Sequence, residues 1–384
     1  MPIEKFGGEN GESLEGEESV RPSEKLKGFR KKLWEKTRTI FSRIGIEKVG
    51  GTSLEAEEDI VSKIGEIRNK NEDDKFLDLE ISKDGENLGL RTVAQIDSKY
   101  NPDRVKNYNE WDLTPQEEAE RWLNREILVG EKLDKFTIGE SVSADELVDA
   151  NRDPKQGEIF LLKRTKEQAG QQDEYGESEG RALAKSLLDM QKNLRATEMV
   201  REIMTEEGIE NKLEMEQKIF EDYFDHFDGY MDNSKVILEE LDDEDLAGRI
   251  EKRMEEFRVV IEEVQLGEDE YSFVHGNVNF DTVRYPEDGR AYLSDWQRAG
   301  KTQNKALSLV YDLGNALQEA IEKLESAKAK AFILGVESEL KFQYQDNRKL
   351  GLAIINLAKL RSFSMIVNDL EDDKKTLALS GLGE

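Results

Sequence analysis

YSFVHGNVNFDTVRYPEDGRAYLSDWQRAG, residues 271–300, is the stretch whose reading decides the fold. Residues 271–274 form a short apolar run that predicts a strand, and His275-Gly276-Asn277 predicts a tight turn. Residues 282–285 and 291–294 predict two short strands joined by the polar turn Pro286-Glu287-Asp288-Gly289-Arg290. Asp295-Trp296 closes the second strand. Polar residues at turns and strand ends are where a rigid scaffold displays chemistry. His275, Asn277 and Asp295 are therefore the first candidates for a site.

Outward from this stretch, the totals bound the answer. A chain of 384 residues exceeds one core, which predicts two lobes with appendages. Hydrophobic residues make up 36% and charged residues 37%, so part of the chain is expected to stay unburied. A net charge of -29 repels phosphate backbones and disfavours nucleic acid as a partner. The same field opposes a polyphosphate ligand unless the site gathers Lys, Arg or Mg²⁺. The absence of cysteine excludes disulfides, thiolate catalysis and Cys-type zinc sites. With only His226 and His275, a His-rich metal site is excluded too. No apolar run approaches the ~20 residues that span a membrane. The N-terminus lacks the plan of a signal peptide, which predicts a cytoplasmic protein.

In chain order, residues 1–23 are rich in Gly, Glu and Ser and predict a disordered acidic tail. Residues 24–48 predict a basic amphipathic helix, with Leu26, Phe29, Leu33, Ile40, Phe41 and Ile44 near one face. Three readings stand: it packs on the acidic body, docks on a partner, or lies on an anionic membrane through residues 24–46. Residues 60–97 predict a small antiparallel sheet. Residues 76–81 alternate with period two, 83–87 turn, 88–96 return, and 60–68 are a weaker strand candidate. Thr114, Pro115 and Glu117 mark a capped helix start, and that helix runs to Phe136. Strands are predicted again at 147–150 and 159–162. From Tyr175 the pattern is mostly helical: 181–192, 198–207, 210–230, 233–240, 244–264, 307–324, 327–342 and 347–370. The fold class is α+β, with a sheet lobe and hinge over 60–165 and a helical lobe over 166–375.

Several segments together carry a family resemblance. His275-Gly276-Asn277-Val278-Asn279-Phe280-Asp281-Thr282 aligns without gaps on H-G-D-x-x-x-x-N, and Leu293-Ser294-Asp295-Trp296 aligns on I-D-W. Tyr311-Asp312-Leu313-Gly314 follows as a helix start, and Arg125-Glu126-Ile127 sits on the sheet-lobe helix. On these motifs the chain resembles the aminoglycoside phosphotransferase and choline kinase group of the protein-kinase-like fold, over roughly residues 60–370. The resemblance implies a two-lobed fold, ATP and Mg²⁺ as cofactors, and a small-molecule acceptor. It also implies a hinge at 160–164 that includes Lys163 and Arg164, with Glu126 as the ion-pairing glutamate. Asp295 is implied as a metal ligand, against a purely turn-forming reading of the same residue, and His275 as a brace of the loop.

The departures are as informative. Asn277 stands where the family has its catalytic Asp, and an amide takes no proton near neutral pH. Thr282 stands at the second metal position, and Gln95 at the position of the phosphate lysine, with Arg91 on the same strand face as a substitute. Losing a general base costs ~10²–10⁴ in rate. The expected function is a degenerate kinase-like protein acting as a binding or scaffolding module, with an unknown small-molecule acceptor or protein partner. Two alternatives stand beside it: an active ATP-dependent small-molecule kinase, and a tether acting through the basic helix.

Overall fold

The computed structural model describes residues 34–43, 48–49, 52–53, 76–83, 86–93, 115–139, 141–169, 171–211, 214–215, 219–222, 244–267 and 269–366. Two lobes are built from them. The first is an antiparallel sheet of β1 (Lys48–Val49), β2 (Thr52–Ser53), β3 (Phe76–Lys83), β4 (Glu86–Val93), β5 (Asp145–Asn151) and β6 (Phe160–Thr165). Its order is β2-β1-β3-β4-β6-β5. Helix α1 spans 34–43, and α2 (Pro115–Phe136) lies between β4 and β5 in sequence.

Period-two alternation sorts the strand residues into two rows. Leu77 faces Thr92, Leu79 faces Leu90, and Ile81 faces Leu88; β6 adds Leu162 and Phe160 to this outer row. Phe76 opposite Val93 and Asp78 opposite Arg91 form the inner row, continued by Leu161. α2 covers the inner row: Ala119, Leu123 and Ile127 share a core with Val93, Ile159 and Leu161.

The outer row is buried as well, and α1 packs at its β6 end. Trp34, Ile40 and Phe41 are each at most 2% exposed. Arg43 stacks on the Phe160 ring at 5.5 Å and donates to the Gln156 carbonyl, while Lys36 pairs with Glu158 at 3.0 Å. Within residues 34–43 the apolar side chains Trp34, Ile40 and Phe41 are packed into the protein's own body, as the first of the three sequence readings has it; Leu26, Phe29, Leu33 and Ile44 lie outside the described residues. No helix among the described residues is long and apolar enough to cross a membrane.

The second lobe contains α3 (Glu177–Asn193), α4 (Ala196–Glu206), α5 (Glu244–Glu262), α6 (Lys305–Lys323), α7 (Ser326–Gln343) and α8 (Arg348–Ile366). α6 runs through its centre, with Leu309, Leu313, Leu317 and Ala320 buried. This lobe also carries β8 (Ser272–Val274) and the hairpin of β9 (Val283–Arg284) and β10 (Tyr292–Leu293). α3 and α7 approach closely through Gly180 and Gly335. A Cβ on Gly180 would overlap the Phe332 carbonyl, and one on Gly335 would overlap the Glu177 carbonyl. Ala at position 335 gains about 1 kcal/mol of helix propensity, but the overlap is with backbone and cannot relax cheaply. Gly335→Ala is expected to destabilise by about 1–3 kcal/mol, read as a lower urea midpoint at unchanged m-value.

Two expectations change. The helix predicted over 210–230 gives way at β7 (Glu221–Asp222), which pairs parallel with β11 (Gly300–Thr302), itself paired with β8. Strands this short carry no periodic signal. Residues 160–164 are not a hinge but part of β6, and the ladders to β4 and β5 occupy their backbone. The link between lobes follows Thr165, where the Lys166 N–H donates to Ala144 and the Ala169 N–H donates to Tyr285, both at 2.9 Å. The predicted strand at 60–68, the helix at 233–240, the Thr114 cap, His226, Gln95 and the acidic tail lie outside the described residues.

Candidate active site

The inner row of the sheet delivers charge to one place. Arg91, on β4, donates from Nη1 to Glu126 Oε2 at 2.7 Å and to Asp295 Oδ1 at 2.6 Å. Its Nε and Nη2 grip Asp78, the cross-strand neighbour, at 2.7 and 3.1 Å. Lys163, on β6, places its ammonium between Glu126 Oε1 at 2.8 Å and Asp145 Oδ2 at 2.9 Å. Asp145 also accepts the Thr165 hydroxyl at 2.6 Å and the Asp295 N–H at 3.3 Å. Asp295 Oδ2 accepts from Gln297 at 3.0 Å.

Burial alone would raise the Glu126 carboxyl, but Arg91 and Lys163 hold it down to about 2. Burial likewise opposes the Lys163 ammonium, yet Glu126 and Asp145 keep it well above its ordinary value. At Asp295 burial prevails and raises the carboxyl, against the pull of Arg91. Among the described residues Asp295 is the one non-glycine with positive φ, at 64°. A left-handed backbone costs roughly 1–2 kcal/mol, and the contacts to its N–H and both carboxylate oxygens hold it there. Arg125, buried on α2, donates to the Gln297 carbonyl at 3.0 Å and to that of Ile219, tying α2 to the segment after Asp295.

The loop 275–282 is pinned by α6. Asp312 accepts the His275 N–H at 3.0 Å and the Gly276 N–H at 2.9 Å, and Glu319 accepts that of Phe280. Burial pushes the Asp312 carboxyl up to about 7 against these two bonds. His275 is fully buried, and burial lowers its imidazole to about 4, so it is neutral at pH 7. Its Nε2 donates to the Ser294 carbonyl at 2.9 Å and its Nδ1 accepts the Asn277 N–H at 3.2 Å. Both ring nitrogens are thus spent on bracing, with the tautomer assigned from these partners.

Asn277 Oδ1 accepts from Asn279 Nδ2 at 3.2 Å. Asn279 Oδ1 in turn accepts the N–H groups of Asp281 and Thr282 at 2.9 and 3.0 Å. The Thr282 hydroxyl donates to the Asn277 carbonyl at 2.5 Å and accepts the Asn279 N–H at 3.0 Å. Thr282 is 4% exposed, so it serves as an internal staple of the loop and does not offer itself as a metal ligand.

The structure therefore brings Glu126, Lys163 and Asp295 into one cluster, with His275, Asn277 and Thr282 in the loop that the same hairpin continues. Arg164 stands apart: it lies on the opposite face of β6 and pairs at the surface with Glu86 and Glu146. The same alternation that points Lys163 inward points Arg164 outward. Arg91 takes the place beside Glu126 that the sequence reading gave to position 95. Asp78 was readable as the cross-strand partner of Arg91. Asp145 carried no motif, because only the packing of β5 on the hairpin brings it to Asp295, whereas Gln297 reaches Asp295 from two positions along the chain. No group of three or more carboxylates or histidines arranged to hold a metal occurs among the described residues. A cavity of about 300 Å³ lies elsewhere, between α1, the start of α2 and the turn before β6.

No protein-family model and no curated protein matches the sequence. Among solved structures, the chain is similar to a thermostable mutant of an aminoglycoside phosphotransferase in ternary complex with ADP and hygromycin B. Identity is 12% and the TM-score 0.39, covering 84% of this chain and 95% of that one. It is similar to a Plasmodium vivax ethanolamine kinase at 7% identity and TM-score 0.39, covering 80% of each chain. It is similar also to amicoumacin kinase in complex with AMP-PNP and Ca²⁺, at 10% identity and TM-score 0.36, covering 81% of this chain and 86% of that one. At these values no residue's role passes from those proteins to this chain.

Proposed function

We propose that this chain is a phosphotransferase-like protein of kinase type that has lost efficient transfer and works as a binding or scaffolding module. The observation that carries the reading is the ion-pair network of Arg91, Lys163, Glu126, Asp145 and Asp295. Phosphoryl transfer depends on charges placed for the substrate. Here each of those charges is held by an opposite one from the protein itself, with Asp78 adding another carboxylate on Arg91.

ATP and Mg²⁺ fit this arrangement poorly. Both Asp295 carboxylate oxygens are engaged, one by Arg91 and the other by Gln297. Arg91 and Lys163 together face four carboxylates, so the cluster repels polyphosphate. Asn277 cannot act as a general base, although an amide oxygen has a second lone pair with which to accept a hydroxyl. A small hydroxyl-bearing molecule is therefore a ligand this loop suits without turnover.

Thermal unfolding with and without millimolar ATP and Mg²⁺ tests the reading. Binding to the folded state raises stability as RT ln(1 + [L]/Kd). The expected shift in Tm is below about 1 °C, on the scale where 1 kcal/mol moves a large domain a few degrees. A rise of several degrees together with brisk ATP turnover would overturn it.

A further inference from the structure

We infer that the cavity between α1, the start of α2 and the turn before β6 is a second binding site, for a small organic amine on an apolar body. No residue of the charge cluster or of the loop 275–282 lines it. It is nonetheless built on the same elements. Val93 ends β4 two residues after Arg91, and Gln116 precedes Glu126 on α2 by ten residues, about 15 Å along the helix axis.

The lining sets the chemistry of the guest. Val93 and Ile159, both buried, supply apolar surface. Glu120 and Glu158 supply two carboxylates against one ammonium, that of Lys36, which is already paired with Glu158 at 3.0 Å. An anionic guest is therefore disfavoured. Each carboxylate uses one oxygen within the protein: Glu120 Oε1 accepts from Gln116 at 2.8 Å, and Glu158 Oε2 pairs with Lys36. Among the described residues, Glu120 Oε2 and Glu158 Oε1 have no hydrogen-bond partner. An ammonium has three protons to donate to such oxygens, and the net charge of -29 raises the concentration of cations around the chain. A volume of about 300 Å³ lies at the lower end for small-molecule sites, roughly 300–1,000 Å³, which limits the guest to a small one.

The rim is rigid without a ligand. The buried Asn151 side chain donates to the carbonyls of Asp153, Gly157 and Glu158 at 3.2, 3.2 and 2.8 Å. Asp153 in turn accepts the Lys155 N–H at 2.9 Å. From the other side α1 is tied to this turn by Lys36 and by Arg43, which donates to the Gln156 carbonyl. A pre-organised rim loses little binding energy to ordering.

The test is ligand-observed NMR with phenethylammonium and with phenethyl alcohol, the same skeleton without the charge. Physiological ionic strength screens diffuse attraction to the acidic surface. Wild type is expected to bind phenethylammonium with a Kd of about 1–10 mM, the range for a ligand of this size, and the alcohol at least about fivefold more weakly. Glu120→Gln is expected to weaken the ammonium about five- to tenfold and to leave the alcohol unchanged. No binding of phenethylammonium to wild type at tens of millimolar overturns the inference. So does equal affinity for ammonium and alcohol, or an ammonium affinity that Glu120→Gln leaves unchanged. Should Glu120→Gln fail to fold, Glu158→Gln decides in its place by the same measure. The transfer-deficient reading is untouched by these outcomes and falls only on stabilisation and turnover with ATP and Mg²⁺.

Discussion

Glu126→Gln is expected to lower unfolding free energy by about 3 kcal/mol, the low end of the range for removing one partner of a buried ion pair. The variant keeps the shape of the side chain but takes away the charge that Arg91 and Lys163 share. The low end applies because Arg91 retains Asp78 and Asp295, and Lys163 retains Asp145. The pH dependence has a definite sign. The Glu126 carboxyl is depressed in the folded state from an ordinary value of 4.5 to about 2. Its contribution is therefore complete above about pH 4.5 and is lost as pH falls toward 2, because the unfolded chain binds that proton first. Urea midpoints for both proteins between pH 2 and 7 check this. The gap should be widest near neutrality and close in acid; a gap that stays constant through acid would remove the electrostatic explanation.

The second large effect is predicted on the other face of the sheet, where α1 packs beside Phe160. Trp34→Ala is expected to cost about 3–5 kcal/mol, the range for truncating a buried aromatic. Trp34 is 2% exposed and meets Phe41 edge-on at 6.2 Å. Helix α1 closes the sheet lobe beside Phe160, so truncating the chain through residue 43 should yield an unstable protein with exposed apolar surface rather than free-standing lobes. That outcome opposes the reading of the basic helix as a detachable tether. Unfolding of Trp34→Ala at the wild-type urea midpoint would show that α1 contributes no packing.

Much of the fold was legible because long elements have periods. The alternation of 76–81, the capped start of α2 and the apolar spacing of α6 to α8 each predict their element within a few residues. The turn at His275-Gly276-Asn277 and the hairpin to Asp295 were legible for another reason, since local hydrogen bonding of polar turn residues needs little from the rest of the chain. The short strands β7 and β11 were not legible, because two or three residues carry no period and pair only when the helical lobe assembles. The hinge was misplaced by a few residues for a related reason: Phe160-Leu161-Leu162 is apolar and Lys163-Arg164 basic, a pattern that reads as extended whether it pairs on both sides or on neither.

The sequence by itself determined the chemistry of the loop. The Asn277 amide takes no proton near neutral pH, a Thr hydroxyl such as that of Thr282 is a weak metal ligand, and β4 contains no lysine, because these are properties of side chains wherever they lie. Tertiary structure alone decided what the surviving charges do. Period two put Asp78, Arg91 and Lys163 on one face of the sheet, but only the docking of α2 and β5 against the hairpin brought Glu126, Asp145 and Asp295 within 3 Å of those two cations. Ion pairs depend on separation through space and not along the chain. The residues that close this site are therefore up to 204 positions apart in sequence and share one cluster in the fold.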